Sequence, residues 1–460
     1  MMQLSLEEAE KQYPGPSEFT HLHIHTQYSQ LDGIASPEDY FRGCAERKYP
    51  AIAITEHGVL NSIPDCYFIS KETGVKQIIG CEFYYCDYEI ARKKLVEGGK
   101  KLADIKTKLP MLGNRISRNR HLTILAKNQI GYNNILKINR SAWQDFFYRK
   151  PRINFDLLSS HKEGLIVLSG CMNGPVSFEI SEDNLDGKKS GVNITGAVEY
   201  VKKFKQVFGE DFYIELQMPG VEGEIELFIK LLQLADDFKV KTVLTNDCHY
   251  MKREDHKLQK VLMAIDQGIT VDDPNLFYVN SSEQYFKSRS ELRATFNLNG
   301  FIEKVPVSEF EKACDNTLEV ASKCGGFKPD LGPKLPKIED ADQKLRQLAY
   351  DGLRNKGLDK DESKYLMDEK MVTYHEQLEI ELKRIISKGF ASYFLITLDL
   401  INASRSKGFM IGPGRGSCGG SLLSYLIDIQ PLNPFYWSTS FSRFLSPARG
   451  GDMLDVTMPK

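Results

Sequence analysis

Short apolar runs alternate with helical stretches along the first half of the chain. Several runs are apolar throughout, which is typical of parallel strands that are buried on both faces. The predicted strands are Thr20–Ile24, Ala51–Thr55, Gln77–Phe83, Leu122–Ala126, Leu165–Ser169, Phe212–Leu216 and Thr242–Asn246. Seven strands with intervening helices predict an α/β domain built as a closed, distorted TIM-like (β/α)7 barrel. An open doubly wound sheet is the alternative.

Helix signals are clear at two places. The string Ser36-Pro37-Glu38-Asp39 combines an N-cap, a proline at the first helical position and an acidic first turn. The second half of the chain is mostly helical in pattern. Leu378, Leu382 and Ile385 lie at i, i+4 and i+7, so they predict one apolar helix face, and the helix is expected to stop at Gly389.

Composition places the chain among soluble globular proteins. It has 460 residues, 41% of them hydrophobic and 27% charged, which predicts two or three domains. The net charge of −2 does not exclude nucleic acid, because large DNA enzymes confine their basic residues to a groove. Nine cysteines without a CxxC pair and no signal sequence favour the reducing cytoplasm. No apolar run approaches the ~20 residues that span a bilayer, so no membrane partner is expected.

One stretch between the third and fourth predicted strands breaks the alternation. Residues 92–120 are rich in lysine and arginine and show little apolar periodicity. We interpret the stretch as a long surface loop or hairpin inserted in the barrel. A charge run is usually only a solvated face, and contact with DNA is the second interpretation.

Histidines and acidic residues gather at the predicted strand ends. His23 and His25 alternate on the first strand, so both side chains project to the same side. Further candidates end or follow later strands: Asp32, His57, Glu82, Cys171, Asp247 and His249. The carboxyl ends of parallel barrel strands share one face, where chemistry is usually built. His121 is an exception, because it begins its strand and would need a loop to reach that face.

Imidazole and carboxylate ligands suit zinc or manganese, with iron as a further candidate, and a set of this size can hold two or three ions. Such multinuclear sites activate a water molecule and hold a phosphate during in-line hydrolysis. Any one of these residues alone is more often capped or solvated than bound to metal. The convergence of nearly all of them at strand ends favours a metal site.

Residues 21–33 resemble the opening of a polymerase and histidinol phosphatase (PHP) domain. The resemblance lies in the string His-Leu-His-Ile-His-Thr-Gln-Tyr-Ser at residues 21–29 and in Leu31-Asp32-Gly33. The version it resembles stands at the N-terminus of bacterial DNA polymerase III alpha subunits. Similar strings follow at 79–83, 121–126, 150–153, 168–171 and 245–250. The resemblance implies metal ligands at His23, His25, Asp32, His57, Glu82, His121, Cys171, Asp247 and His249. An intact set implies a working metal site, most simply a 3′–5′ exonuclease or related phosphoesterase.

The resemblance continues through residues 315–319, 389–394 and 412–417, which are similar to the approach to the palm of these C-family replicative polymerases. It implies that the incoming nucleotide's phosphates are held by Gly414, Arg415, Gly416 and Ser417. Glycine lets backbone amides approach a polyphosphate, and arginine adds a fixed positive charge.

The chain then departs from the family pattern. The family has two aspartates separated by one residue, which hold two catalytic magnesium ions. Asp455 can stand for the first, but Thr457 occupies the place of the second. We therefore expect the N-terminal part of such a polymerase, without primer extension by this chain alone. In the complete enzyme the partners would be DNA, dNTP and magnesium, with a second polypeptide supplying the rest if the polymerase is split.

These inferences predict an N-terminal extension at 1–19, a PHP domain at 20–270 and an incomplete, mostly helical α+β palm at 271–460. A stand-alone phosphoesterase similar to histidinol phosphatase is the alternative, but it would not need residues 255–460. A non-catalytic scaffold is a third interpretation, and the complete ligand set argues against it as the sole role.

Overall fold

The computed structural model describes residues 8, 11–13, 17–86, 119–182, 194–330, 336–412 and 416–446. The chain divides into two compact units, residues 1–330 and residues 331–460. The predicted basic insertion lies outside the described residues except for positions 119 and 120, and so does most of the predicted N-terminal extension.

A curled, mixed sheet forms the centre of the first unit. Its strands are β1 Ala51–Ile54, β2 Lys76–Tyr85, β3 Arg120–Ala126, β4 Arg152–Ile153, β5 Leu165–Leu168, β6 Phe212–Leu216 and β7 Lys241–Leu244. The order is β1-β2-β3-β5-β6-β7, and β4 pairs with β2. All pairs are parallel except β2 with β3 and β3 with β5. The barrel-like α/β class is confirmed, whereas the expectation of parallel strands throughout is wrong for β3.

The prediction of a regular strand at Thr20–Ile24 is also wrong. This segment makes a single bridge, from Ile24 to Cys248, because the Ile24 amide donates to the Thr55 hydroxyl at 3.0 Å instead of to a backbone carbonyl. The segment nevertheless bonds to both edges of the sheet. The Ala53 amide donates to the His21 carbonyl at 2.9 Å, and the His25 amide donates to the Cys248 carbonyl at 2.8 Å. The segment therefore connects the β1 side of the sheet to the end of β7.

Helices cover the sheet. In the first unit they are Pro37–Glu46, Ile63–Thr73, Gln129–Gln144, Phe155–Ser160, Pro175–Glu182, Thr195–Phe208, Glu224–Asp237, His256–Gln267, Arg289–Leu298 and Val307–Lys323. The predicted helix start at Ser36 is confirmed, since Ser36 and Asp39 form a reciprocal capping box.

Residues beyond 270 share the core of the barrel. Phe296, Phe301 and Phe310 are fully buried in the same hydrophobic cluster as the strands. The Asn316 side chain also donates to the Thr242 carbonyl at 2.7 Å. The boundary between a PHP domain and a palm domain at residues 270 and 271 stays a prediction. The first compact unit extends to residue 330.

The second unit is mostly helical. Its helices are Ala341–Asn355, Tyr374–Ser387, Ala391–Ser406, Leu422–Leu426 and Phe441–Phe444, and its small hairpin pairs β8 Tyr365–Met367 with β9 Lys370–Val372. Leu378, Leu382 and Ile385 are fully buried in one core, which confirms the predicted apolar face. Gly389 has a φ of 73°, so the helix ends at the predicted place in a left-handed conformation.

Among the described residues, no single helix has the length and apolar composition needed to cross a membrane. The helices Tyr374–Ser387 and Ala391–Ser406 meet that test only as a pair, with a bend of 106° between them.

Gly131 sets how closely the helix Gln129–Gln144 approaches the sheet. A Cβ at this position would lie 1.9 Å from the Gly164 carbonyl oxygen, so backbone would have to move. We expect Gly131→Ala to lower the free energy of unfolding by about 1–3 kcal/mol, measured by urea unfolding with circular dichroism. Gly412→Ala is the control, because no atom lies within 4 Å of its Cβ. Equal stability of the two variants would contradict this account.

Candidate metal centre

The structure brings all nine predicted ligand positions together at one end of the curled sheet. The segment before β1 supplies His23 and His25, and the loops after β5 and β7 supply Cys171, Asp247 and His249. Their ligation of metal stays a prediction, but their convergence is a property of the fold.

The expectation that His121 needs a loop to reach the cluster is wrong. His121 lies within β3, opposite Tyr84 of β2. Because β3 runs antiparallel to β2, its beginning lies beside the carboxyl ends of the parallel strands. The reversed strand itself therefore places His121 at the site.

Glu82 occupies the centre of one group of donors. Its Oε2 lies 2.6 Å from His57 Nδ1, and its Oε1 lies 3.0 Å from His121 Nδ1 and 3.2 Å from His23 Nε2. Cys171 Sγ lies 3.5 Å from His121 Nδ1. Glu82 itself is only 1% exposed, so its carboxylate is shielded from bulk water.

Asp247 and Asp32 organise the neighbouring groups. Asp247 Oδ1 lies 3.2 Å from His25 Nε2 and 3.4 Å from His23 Nε2. Asp32 Oδ2 lies 2.9 Å from His57 Nε2 and 3.5 Å from the Nε2 of the ninth member, His249. Three sets of three donors each have all their ligand atoms within 4.8 Å of one another: His57 with Glu82 and His121, His23 with His25 and Asp247, and His25 with His57 and His249.

These donors fit metal ions better than they fit one another. Both Glu82 oxygens and Asp247 Oδ1 are buried without a hydrogen bond of acceptable geometry. His23 Nε2 also faces His25 Nε2 at 3.1 Å, so at most one of them can donate to the other. Buried acceptors without partners are costly, and a cation among them satisfies carboxylate and imidazole lone pairs together. The donor set therefore suits transition-metal ions.

A second layer of acidic residues orients the imidazoles. Glu215 Oε1 lies 2.6 Å from His23 Nδ1 and also accepts hydrogen bonds from Gln217 and Thr245. Such a carboxylate fixes the ring orientation and leaves Nε2 free for metal. Sequence reasoning missed Glu215, although a single acidic residue in the otherwise uncharged run Phe212–Leu216 was a usable signal.

His25 has a corresponding support that was also missed. Its Nδ1 lies 3.1 Å from the Ser29 hydroxyl, which donates to the Glu56 carboxylate. Glu56 further accepts from the Thr26 amide at 3.1 Å. Glu56 precedes the candidate ligand His57 in the chain, and only its burial at 1% exposure distinguishes it from an ordinary surface acid.

The electrostatics of the site favour bound cations. Burial disfavours the ionised form of Glu82, yet the imidazoles around it, His121 above all, outweigh burial and lower the pKa of Glu82 well below its usual value. Burial raises the pKa of the Cys171 thiol well above its usual value, and the nearby Glu82 and Asp247 carboxylates add to the shift. Cys171 would therefore become a thiolate ligand only when a metal ion offsets those charges.

A cavity of about 740 Å³ opens beside the donors His57, Asp32 and His121. Aromatic and cationic side chains share its wall with polar ones, and they are Tyr84, Trp143, Phe147, Arg149 and Lys150. The cavity gives a ligand access to the donor cluster from one side.

The second unit carries part of the predicted phosphate-binding loop. Gly416 and Ser417 begin a 3-10 turn that spans Gly416–Gly420, whereas residues 414, 415, 455 and 457 lie outside the described residues. Buried Glu381 anchors the chain just after the turn by accepting from the Leu422 and Leu423 amides at 2.9 and 3.0 Å. Burial raises the pKa of Glu381 to about 7. Phosphate binding by this loop stays a prediction.

Two family descriptions match the chain. The PHP domain matches residues 21–219, and the bacterial DNA polymerase III alpha NTPase domain matches residues 343–457. The donor cluster includes two residues beyond the first match, Asp247 and His249.

Similar proteins carry the name DNA polymerase III subunit alpha. The Aquifex aeolicus protein is 35% identical over 452 residues, which cover 96% of this chain and 36% of that protein. The Campylobacter jejuni protein is 31% identical over 96% of this chain and 35% of its own length. The Thermus aquaticus protein is 30% identical over 96% of this chain and 37% of its own length. The chain thus spans little more than a third of these relatives.

Among solved structures, a Bifidobacterium adolescentis protein described in the words "metal-dependent phosphoesterase" is 12% identical, with a TM-score of 0.31. The match covers 51% of this chain and 88% of that one, and a score of this size supports no conclusion about the site. The sequence matches are the informative ones. They show a PHP domain at residues 21–219 and a bacterial DNA polymerase III alpha NTPase domain at residues 343–457, in a chain that is homologous to bacterial DNA polymerase III alpha subunits over 96% of its length.

Proposed function

We propose that the barrel is a metal-dependent phosphoesterase that removes nucleotides from the 3′ ends of DNA, using two or three zinc, manganese or iron ions. One observation carries the proposal: nine donors converge beside an open cavity, and among them both Glu82 oxygens and Asp247 Oδ1 are buried without a hydrogen bond of acceptable geometry. A structural zinc site has four protein ligands and no open coordination position. A larger set of ligands that faces a cavity is typical of a catalytic site.

Metal ions in such a site supply a nucleophilic water and neutralise charge on the phosphate. Hydrolysis adds water across the phosphodiester: a bond forms from water oxygen to phosphorus, the bond from phosphorus to the 3′ oxygen breaks, and that oxygen gains a proton. The protein's own part is to position the donors. Glu215 fixes the ring of His23, and Ser29 with Glu56 fixes the ring of His25.

The surroundings of the cluster favour a polymeric phosphodiester. The cavity is open and carries Arg149 and Lys150, which offer positive charge to a phosphate chain. The similarity of the chain to replicative polymerase subunits also favours a polymeric phosphodiester. A phosphomonoesterase similar to histidinol phosphatase is the alternative, because metal ions held by the same donors would also promote hydrolysis of a small phosphate ester.

For the whole protein we propose DNA-directed DNA polymerase activity, with DNA and dNTP as substrates and magnesium in the palm. The proposal rests on the match of residues 343–457 and on the glycine-rich turn that begins at Gly416. Glycine allows backbone amides to approach a polyphosphate, and this is the property that the predicted loop needs.

The first prediction concerns metal content. Elemental analysis of the purified chain should give two or three transition-metal ions per molecule. The double variant His23→Ala/His25→Ala should lose most of this metal and unfold at lower temperature, because metal binding is linked to folding. The control is His161→Ala/His375→Ala, whose imidazoles contact the backbone carbonyls of Leu157 and Asp359 and are not among the nine candidate ligands. At most trace metal in the unmodified chain would contradict the site.

The second prediction concerns the reaction. With manganese or zinc, the chain should shorten single-stranded oligonucleotides from their 3′ ends, and Glu82→Gln should abolish the activity. Gel analysis of 5′-labelled substrate would show the ladder of products. Activity should fall steeply with salt, because binding depends on the phosphate backbone. Hydrolysis of histidinol phosphate without nuclease activity would favour the alternative instead.

A third prediction concerns synthesis. Two-metal phosphoryl transfer needs carboxylates that hold both ions, and Thr457 is a neutral residue at the second expected position. We therefore expect no template-directed primer extension by the 460-residue chain in a gel assay with dNTP and magnesium. Extension that is lost in Asp455→Ala would show that one aspartate suffices. Extension that persists would show that Asp455 is misassigned.

A further inference from the structure

Two large aromatic side chains lie exposed at the mouth of the metal cavity. Trp143 is 46% exposed and Phe147 is 48% exposed, although both line the cavity that contains His57 and Asp32. Their rings stack on each other, with centroids 5.4 Å apart and planes tilted by 23°. Two exposed and stacked aromatic rings beside the cavity favour a ligand that has a flat apolar face.

Trp143 is fixed to the loop that carries the candidate ligand His57. Trp143 Nε1 donates to the Gly58 carbonyl at 3.0 Å, and Asn139 of the same helix donates to that carbonyl at 2.8 Å. Gly58 directly follows the donor His57. A Cβ at Gly58 would lie 2.8 Å from Pro151 and 3.2 Å from the Tyr84 ring, so the loop is packed tightly against the cavity wall. The fold therefore holds Trp143 beside the loop of His57, and Phe147 stacks on Trp143.

Positive charge lies next to the pair. Arg149 occupies a tight turn with a φ of 62°, and a bridge between Tyr148 and Lys150 closes that turn. Lys150 Nζ lies 5.6 Å from the centre of the Tyr84 ring, and both cations line the cavity. Aromatic faces for stacking, combined with cations for a phosphate backbone, are the chemistry by which proteins hold single-stranded nucleic acid.

We propose that Trp143 and Phe147, with Arg149 and Lys150, form a subsite that stacks an unpaired base and holds its phosphate beside the metal centre. The inference rests on the proposed nuclease function and names its substrate as single-stranded DNA at a 3′ terminus. A paired base offers no free face to such a platform, so a duplex end must fray before it enters. The subsite thus selects polymeric, single-stranded substrate.

The test measures binding separately from cleavage. The probe is fluorescein-labelled oligothymidylate with phosphorothioate linkages at its 3′ end, and its dissociation constant is read by anisotropy with the full chain. Trp143→Ala should weaken binding roughly tenfold, and Trp143→Ala/Phe147→Ala should weaken it further. Trp143→Phe should restore most of the affinity, because it keeps an aromatic face.

Two further measurements sharpen the test. On cleavable oligothymidylate, Trp143→Ala should raise KM more than it lowers kcat, since the ring binds the base and not the reacting phosphate. Lys150→Gln should reduce the slope of log affinity against log salt by about 0.7, the value for one phosphate contact on a single strand. Phe68→Ala and Leu136→Ala are the controls, because both residues are exposed outside the cavity lining.

Unchanged affinity in the double variant, with intact metal content and unfolding temperature, would overturn the subsite and leave the pair as a surface for a protein partner. Failure of the proposed function would look different. In that case the unmodified chain would cleave neither oligothymidylate nor the small diester bis(p-nitrophenyl) phosphate, while the aromatic variants would still lose oligonucleotide affinity.

Discussion

The carboxylate of Glu82 meets imidazoles from three separate parts of the chain at one buried point. His57 follows β1, His121 belongs to β3, and His23 comes from the segment that joins the two edges of the sheet. Glu82 is 1% exposed and its oxygens have no hydrogen bond of acceptable geometry, so its ionised form is stable only where positive charge compensates it. Protons on the imidazoles can supply that charge, and metal ions supply it while also satisfying the orphaned oxygens. The proposed metal ions would therefore also stabilise the fold of the first unit.

This constraint explains the irregular features of the barrel. The antiparallel β3 brings His121 to the end of the sheet where the parallel strands finish. The segment at residues 20–24 gives up regular pairing, and the Ile24 amide bonds to the Thr55 hydroxyl instead. Asp247 adopts a φ of 47°, a conformation that is strained for a residue with a side chain. These three departures from a regular barrel all lie at the donor cluster.

Sequence reasoning predicted the parts of the fold that depend on local pattern. Apolar runs located β1, β2 and β6 because such strands are buried on both faces, and the spacing of Leu378, Leu382 and Ile385 located one helix face. An apolar run carries no sign of its direction, so the reversal of β3 could not be predicted and His121 was misinterpreted. Two-residue β4 was too short to give a pattern.

The candidate ligands were predicted because metal donors and a family motif coincide at strand ends. Their supports were missed for a physical reason. Glu215 and Glu56 act only through the rings that they orient, and nothing local distinguishes a buried carboxylate from a solvated one. The aromatic pair was missed likewise, since Trp143 and Phe147 in sequence resemble ordinary core residues and only the structure shows their exposure.

Anomalous X-ray diffraction from crystals of the manganese- or zinc-loaded chain tests the central claim most directly. The account predicts two or three anomalous peaks among the nine donors, with Glu82 and Asp247 oxygens and histidine nitrogens at about 2.0–2.3 Å from them. It predicts a peak in contact with Glu82 above all. A fully loaded crystal without any peak near Glu82 or Asp247, in which the nine side chains keep their positions, would contradict the account.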